Sequence, residues 1–129
     1  MYDLIIKGGT VVDPSQNIHG LNDVAVEDGK IARIAPDIPS AEAKRTVEVK
    51  GKVVIPGLID LHTHVYAGVN ASGVDADIGG VRSGVTTMVD AGSAGCDTFG
   101  GFPKHIIPNT ATEVICSLHI CRTGLATAP

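Results

Sequence analysis

Two histidines one residue apart, closing a short apolar run that opens on Pro-Gly, constrain this chain more than any other stretch. The run is Pro56-Gly57-Leu58-Ile59-Asp60-Leu61-His62-Thr63-His64. Its length and branched apolar residues suit a β-strand, in which side chains i and i+2 share a face. Asp60, His62 and His64 then share one face; Ile59, Leu61 and Thr63 share the other. The second face is apolar enough to pack against helices. The first presents two imidazoles and a carboxylate at the C-terminal end of the strand. Neutral imidazole is a ligand for zinc and similar divalent ions, and two imidazoles roughly 7 Å apart along a strand face can converge on one ion. Asp60 is placed to orient an imidazole by accepting its remaining N–H, or to bond backbone amides at the strand end.

The pattern before Pro56 is different. Residues 2–55 read as short antiparallel strands separated by turn residues. Tyr2–Lys7 is followed by a Gly8-Gly9 turn, Thr10–Val12 resumes, and Asp13-Pro14 breaks the run. Val24–Glu27 and Lys30–Ile34 flank Asp28-Gly29, whose residue types suit a type I′ hairpin turn with positive φ at both central positions. Thr46–Val49 and Lys52–Ile55 flank Lys50-Gly51. These runs predict a small β-sandwich over residues 1–55. His19 falls in a loop and is expected on the surface.

After His64 a polar, glycine-rich loop leads to Val74, Ile78 and Val81, spaced as one helix face, with Ser72 able to cap the start and Gly84 suited to the end. Val85–Ala91 is the next strand, with Asp90 near its C-terminal end. Pro103–Ile107 is a short helix that Pro108 stops, with His105 on its surface. Glu113–Cys121 is a third strand, with Val114, Cys116, Leu118 and Ile120 on its apolar face and His119 on the other. Strand and helix alternate, which predicts βαβ units and a parallel sheet. In a barrel built this way the chemistry sits at the C-terminal strand ends, where His62, His64, Asp90 and His119 fall. A flavodoxin-like open sheet gives the same local pattern. Asp90 and His119 are candidates for the substrate side.

Composition excludes several function classes. The 129 residues are 43% hydrophobic and carry a formal charge of −4, with ten Lys and Arg residues scattered rather than clustered, so a nucleic-acid surface is not expected. No apolar run approaches the roughly 20 residues of a membrane helix, and no signal peptide is visible, so a cytoplasmic location and no membrane partner are expected. Cys96, Cys116 and Cys121 lack CxxC spacing and read as buried free thiols.

The phrase at 56–64 resembles the signature of the amidohydrolase superfamily of metal-dependent hydrolases. Asp28-Gly29-Lys30-Ile31 and Gly51–Gly57 are similar to the segment that precedes that signature in the same group. Gly84–Gly95 with Asp97–Phe102 resembles its dihydroorotase-like and deacetylase-like branch. The resemblance implies an α/β fold, a TIM barrel of eight β/α units, preceded by the small β-sandwich. It implies a divalent metal, zinc by expectation and binuclear in the whole parent, with His62 and His64 as ligands. It implies hydrolysis of an amide or ester bond of a small molecule by a metal-activated hydroxide, and leaves a homo-oligomer open. The family's further ligands match no position here, and its general acid/base aspartate is expected beyond Pro129, so no catalytic residue is assigned within the chain. Residues 56–129 supply three of eight units, so a truncated barrel is expected, inactive by itself. A non-catalytic fragment or a hydrolase-like interaction protein is the alternative.

Overall fold

The computed structural model describes residues 1–126. Pro129, beyond which the general acid/base aspartate is expected, lies outside the described residues. The chain divides into two compact units, Met1–Pro56 and a second that begins at Gly57.

In the first unit, β1 (Leu4–Asp13), β2 (Ile18–Glu27), β3 (Lys30–Ala35), β4 (Thr46–Glu48) and β5 (Val53–Val54) join one sheet in the order β3-β2-β1-β4, with β5 also on β1. The strands form one mixed sheet where the sequence pointed to an antiparallel sandwich: β4 and β5 run parallel to β1. The Asp28-Gly29 turn has the expected positive φ at both residues, 50° and 71°. Gly8-Gly9 is not a turn. The strand runs straight through it, and the register against β2 shifts between Ile6 and Gly9, with Gly8 at φ 75°. Glycine there allows a β-bulge, so the sequence break marks an irregularity inside a ten-residue strand. His19 lies within β2, not in a loop, and is exposed as expected.

Ile5, Ala25 and Ile38 form the core of this unit, with Tyr2, Ala35 and Ala43 packed against them. Beside it lies a polar cluster. Asp23 is buried and accepts from the Gly8 and Ile38 amides and from Lys7 Nζ at 2.8 Å. Lys7 also reaches Asp37 and the Ile38 carbonyl. Every oxygen of the buried carboxylate has a partner, which is the condition under which burying it is tolerable.

The second unit holds a three-stranded parallel sheet in the order β6-β7-β8, made of β6 (Leu58–Thr63), β7 (Val85–Asp90) and β8 (Glu113–Cys116). The βαβ reading is therefore correct in direction and order. The connection between β6 and β7 carries α1 (Ala76–Gly79) and a 3₁₀ turn at Val81–Ser83. This is shorter than the helix the Val74-Ile78-Val81 spacing predicts. Asp75, not Ser72, caps it, accepting from the Asp77 and Ile78 amides at 3.0 Å. The helix ends where Gly80 presses against Thr112 and the Ala76 carbonyl, a contact with no room for a Cβ. Gly84 does end the segment, at φ 86°.

Between β7 and β8, Phe102–Ile106 forms a single π-helical turn and Ile107–Asn109 a 3₁₀ turn that contains Pro108 rather than stopping at it. β8 ends at Cys116, five residues before the predicted limit. Beyond it the Ser117 amide bonds the Asp90 carbonyl and the His119 amide bonds the Ala94 carbonyl, so the chain follows the loop after β7. Val65, Tyr66, Ala76, Met88, Ala94 and Phe102 are the core, with Tyr66 stacked on Phe102 at 4.4 Å between ring centroids. Val114 and Cys116 pack against it, as the apolar face of β8 requires.

The cysteines are free, but only Cys116 is shielded; Cys96 and Cys121 are exposed, which corrects the expectation of three buried thiols. Cys121 lies outside any strand. Among the described residues no helix is long and apolar enough to cross a membrane.

Candidate metal centre

The two histidines close β6. His62 is its penultimate residue and His64 lies one residue past its end. Their ring centroids are 5.6 Å apart with the planes at 89°. A zinc–nitrogen bond of 2.0–2.1 Å puts each ring centroid roughly 3 Å from the ion, so two imidazoles sharing one zinc have centroids roughly 5–6 Å apart. The observed separation fits. His62 is exposed and His64 half-buried, so the pair is open to solute on one side.

The pair stands alone among the described residues, where no group of three or more His, Cys, Asp or Glu could hold a metal ion. Two donors are half of a tetrahedral set. The donor chemistry suits a divalent ion such as zinc, and two donors do not complete a coordination shell.

The pairing of β6 with β7 is irregular after Asp60. Asp60 lies opposite Met88 on β7 while Thr63 lies opposite Asp90, three residues against two, so the register breaks between them. The Asp60 carboxylate accepts the backbone amide of His62 at 3.0 Å, the backbone-bonding alternative rather than a contact to an imidazole. The apolar face of β6 is also unlike the expectation: Ile59 is 61% and Leu61 75% exposed.

Asp90 sits where the sequence placed it, at the C-terminal end of β7, but it does not face a substrate. It is fully buried, and its carboxylate accepts three backbone amides: Val65 at 2.9 Å, Gly92 at 3.1 Å and Ser93 at 2.6 Å. The signal for this was legible in Asp90-Ala91-Gly92-Ser93, a sequence in which an aspartate hydrogen-bonds amides two and three residues on. Sequence reasoning missed Ser93 altogether. It is fully buried, and its Oγ lies 3.0 Å from His64 Nδ1.

His119 is half-exposed and packs over Gly92, its Cβ 3.4 Å from where a side chain on that glycine would begin. Its Nδ1 accepts the Cys121 amide at 2.9 Å, so the neutral ring carries its proton on Nε2. Ser93 on one side and Gly92 on the other thus hold His64 and His119 against the same loop. His105 is exposed, as expected.

Two thiols near this region differ in ease of ionisation. Burial, with a smaller contribution from the Asp90 charge, pushes Cys116 up to about 11. Hydrogen bonds from Thr123 hold Cys121 below the ordinary thiol value.

No protein-family model matches the chain. It is 35% identical over 98 residues to a deacetylase of Agrobacterium fabrum, covering 76% of this chain and 24% of that protein. The crystal structure of a dihydroorotase superposes on 98% of the chain with a TM-score of 0.86 at 26% identity, covering 33% of that structure. The chain belongs to the amidohydrolase superfamily. A third member of this superfamily, a D-aminoacylase whose structure is described by its binuclear metal centre, matches 72% of the chain at 36% identity and a TM-score of 0.58, with 19% of that structure covered. This amidohydrolase chain spans 14% to 25% of the length of the curated relatives it matches.

Proposed function

We propose that this chain supplies one side of the metal site of a hydrolase acting on carbon–nitrogen bonds, with His62 and His64 as two of the ligands. The observation that carries the reading is the pair of imidazoles at the end of β6, 5.6 Å apart and open on one side. The three parallel strands are then the opening part of a TIM barrel, in which chemistry gathers at the C-terminal strand ends. Zinc is the proposed ion, in a binuclear centre once the remaining ligands are supplied. When bound, it supplies Lewis acidity toward a carbonyl and toward water.

The chain's own residues have separate tasks. His62 and His64 hold the ion. Asp60 fixes the backbone of His62 through its amide. Asp90 fixes the loop that leads out of β7. His119, with its proton on Nε2, presents a hydrogen-bond donor suited to a carbonyl or carboxylate of a small substrate. The general acid/base is a residue the parent protein supplies beyond Pro129. The substrate class is a cyclic amide or an N-acyl compound, and the parent protein is a soluble, cytoplasmic enzyme.

The test is metal uptake by the whole parent protein, which supplies the remaining donors. Cobalt(II) titration should give a visible spectrum that His62→Ala and His64→Ala each remove, and zinc-dependent hydrolysis by the parent should be lost in both. Uptake or hydrolysis unchanged in either variant would end the proposal. A second reading, a non-catalytic interaction segment, is favoured by Leu58, Ile59 and Leu61 lying exposed along β6. A parent without hydrolytic activity but with both histidines dispensable would support it.

A further inference from the structure

The His64–Ser93 contact has a construction that reaches beyond either residue. Ser93 is fully buried and fixed at both backbone ends: its amide donates to Asp90 Oδ1 at 2.6 Å and its carbonyl accepts from the Leu125 amide at 3.0 Å. His64 is fixed through its neighbour, because the Val65 amide donates to Asp90 Oδ2 at 2.9 Å. One buried carboxylate therefore anchors both sides of the bond between His64 Nδ1 and Ser93 Oγ.

We propose that Ser93 is the positioning residue for His64: it occupies the Nδ1 edge of the ring from the buried side, so that Nε2 alone is offered to a metal ion. The inference rests on the reading of His62 and His64 as ligands. Imidazole has two chemically similar nitrogens, and an unconstrained ring can present either. A hydroxyl held at 3.0 Å from Nδ1 removes that choice. With Nε2 bound to the ion, the ring's single proton sits on Nδ1 and is donated to Ser93 Oγ. Ligating histidines are held in this way by a partner on the other nitrogen, and loss of that partner typically lowers metal affinity by about 10–100-fold. Asp90 acts one step further back, by placing the backbone on which Ser93 and His64 stand.

The experiment uses the 129-residue chain with ¹⁵N-labelled histidine, as wild type, Ser93→Ala and Ser93→Thr, with backbone amide spectra to confirm that each variant keeps the fold. In the metal-free chain, Ser93→Ala should move the Nδ1 resonance of His64 and leave those of His62 and His119 in place. With ¹¹³Cd in the whole parent protein, which supplies the remaining donors, wild type should show coupling to Nε2 of His64; in Ser93→Ala the coupling should spread to both nitrogens and cadmium affinity fall by about 10–100-fold. Ser93→Thr, which keeps the hydroxyl, should restore both. An unmoved Nδ1 resonance in folded Ser93→Ala overturns the proposal, as does cadmium on Nδ1 in wild type. If the wild-type parent protein binds no cadmium, the ligand reading fails and with it the metal role of Ser93, while the metal-free spectra still decide whether Ser93 holds the ring.

Discussion

Replacing Asp90 with Asn removes little volume and changes one oxygen into an NH₂ group, which makes its consequence calculable. Oδ1 receives Gly92 and Ser93, and Oδ2 receives Val65. The amide keeps one oxygen and serves best by keeping it toward Gly92 and Ser93. The NH₂ then faces the Val65 N–H, donor against donor, in a fully buried place. A hydrogen bond to a charged acceptor contributes about 1.5–3 kcal/mol, and an orphaned buried donor costs about 1–3 kcal/mol. Removing a buried charge offsets part of that loss, which leaves a net destabilisation of about 2 kcal/mol against a typical total of about 5–15 kcal/mol. Since about 1.4 kcal/mol is tenfold in an equilibrium, protection of the Val65 amide from hydrogen exchange should fall about 30-fold. Gly92 and Ser93 should lose less. Val65 exchange within about twofold of wild type would refute the reasoning, and loss confined to Gly92 and Ser93 would refute the assignment of the two oxygens.

Phe102→Ala should destabilise the second unit by about 3–5 kcal/mol, because Phe102 is fully buried and stacked on Tyr66; urea denaturation followed by Tyr66 resonances measures it. Asp77 carries a carboxylate held well below the ordinary range, first by the Thr110 hydroxyl and then by the Thr112 and Ala111 amides. Its contribution is therefore complete above the ordinary aspartate value of 3.8 and is lost as pH falls below it, so the protection of the Ala111 and Thr112 amides, taken relative to their intrinsic exchange rates, should fall in that window and stay constant between about pH 5 and 7. Iodoacetamide at neutral pH should label Cys121 well before Cys116, whose thiol is both shielded and raised to about 11; mass spectrometry of timed samples would show the order, and equal rates would contradict it.

Much of the second unit was legible in the sequence because its signals are local. Alternation in Val85–Asp90 and the glycine at 84 place β7 and its preceding turn, and His62 and His64 stand out through residue type and spacing. The errors came where a contact distant in sequence overrides a local pattern. The helix after the first loop is cut to Ala76–Gly79 by the approach of Thr112 to Gly80, and β8 stops at Cys116 because its continuation bonds the loop at Asp90 and Ala94. For Asp60 the sequence left two roles open, and the structure shows the local one, with its carboxylate on the His62 amide beside a register break against β7.

By itself, the sequence determined what chemistry the chain can offer: two imidazoles at a strand end, a parallel βαβ order, and a superfamily phrase that points to a metal. Residue type and short-range periodicity carry that information because they act within a few residues. Only the tertiary structure decided how the site is held. Asp90 looked like a substrate-side carboxylate until the amides of Val65, Gly92 and Ser93 were found on it, and Ser93 carried no signal until its hydroxyl met His64, 29 residues away in the chain. A buried polar group takes its role from the partners folding gives it, and those partners are not its neighbours in sequence.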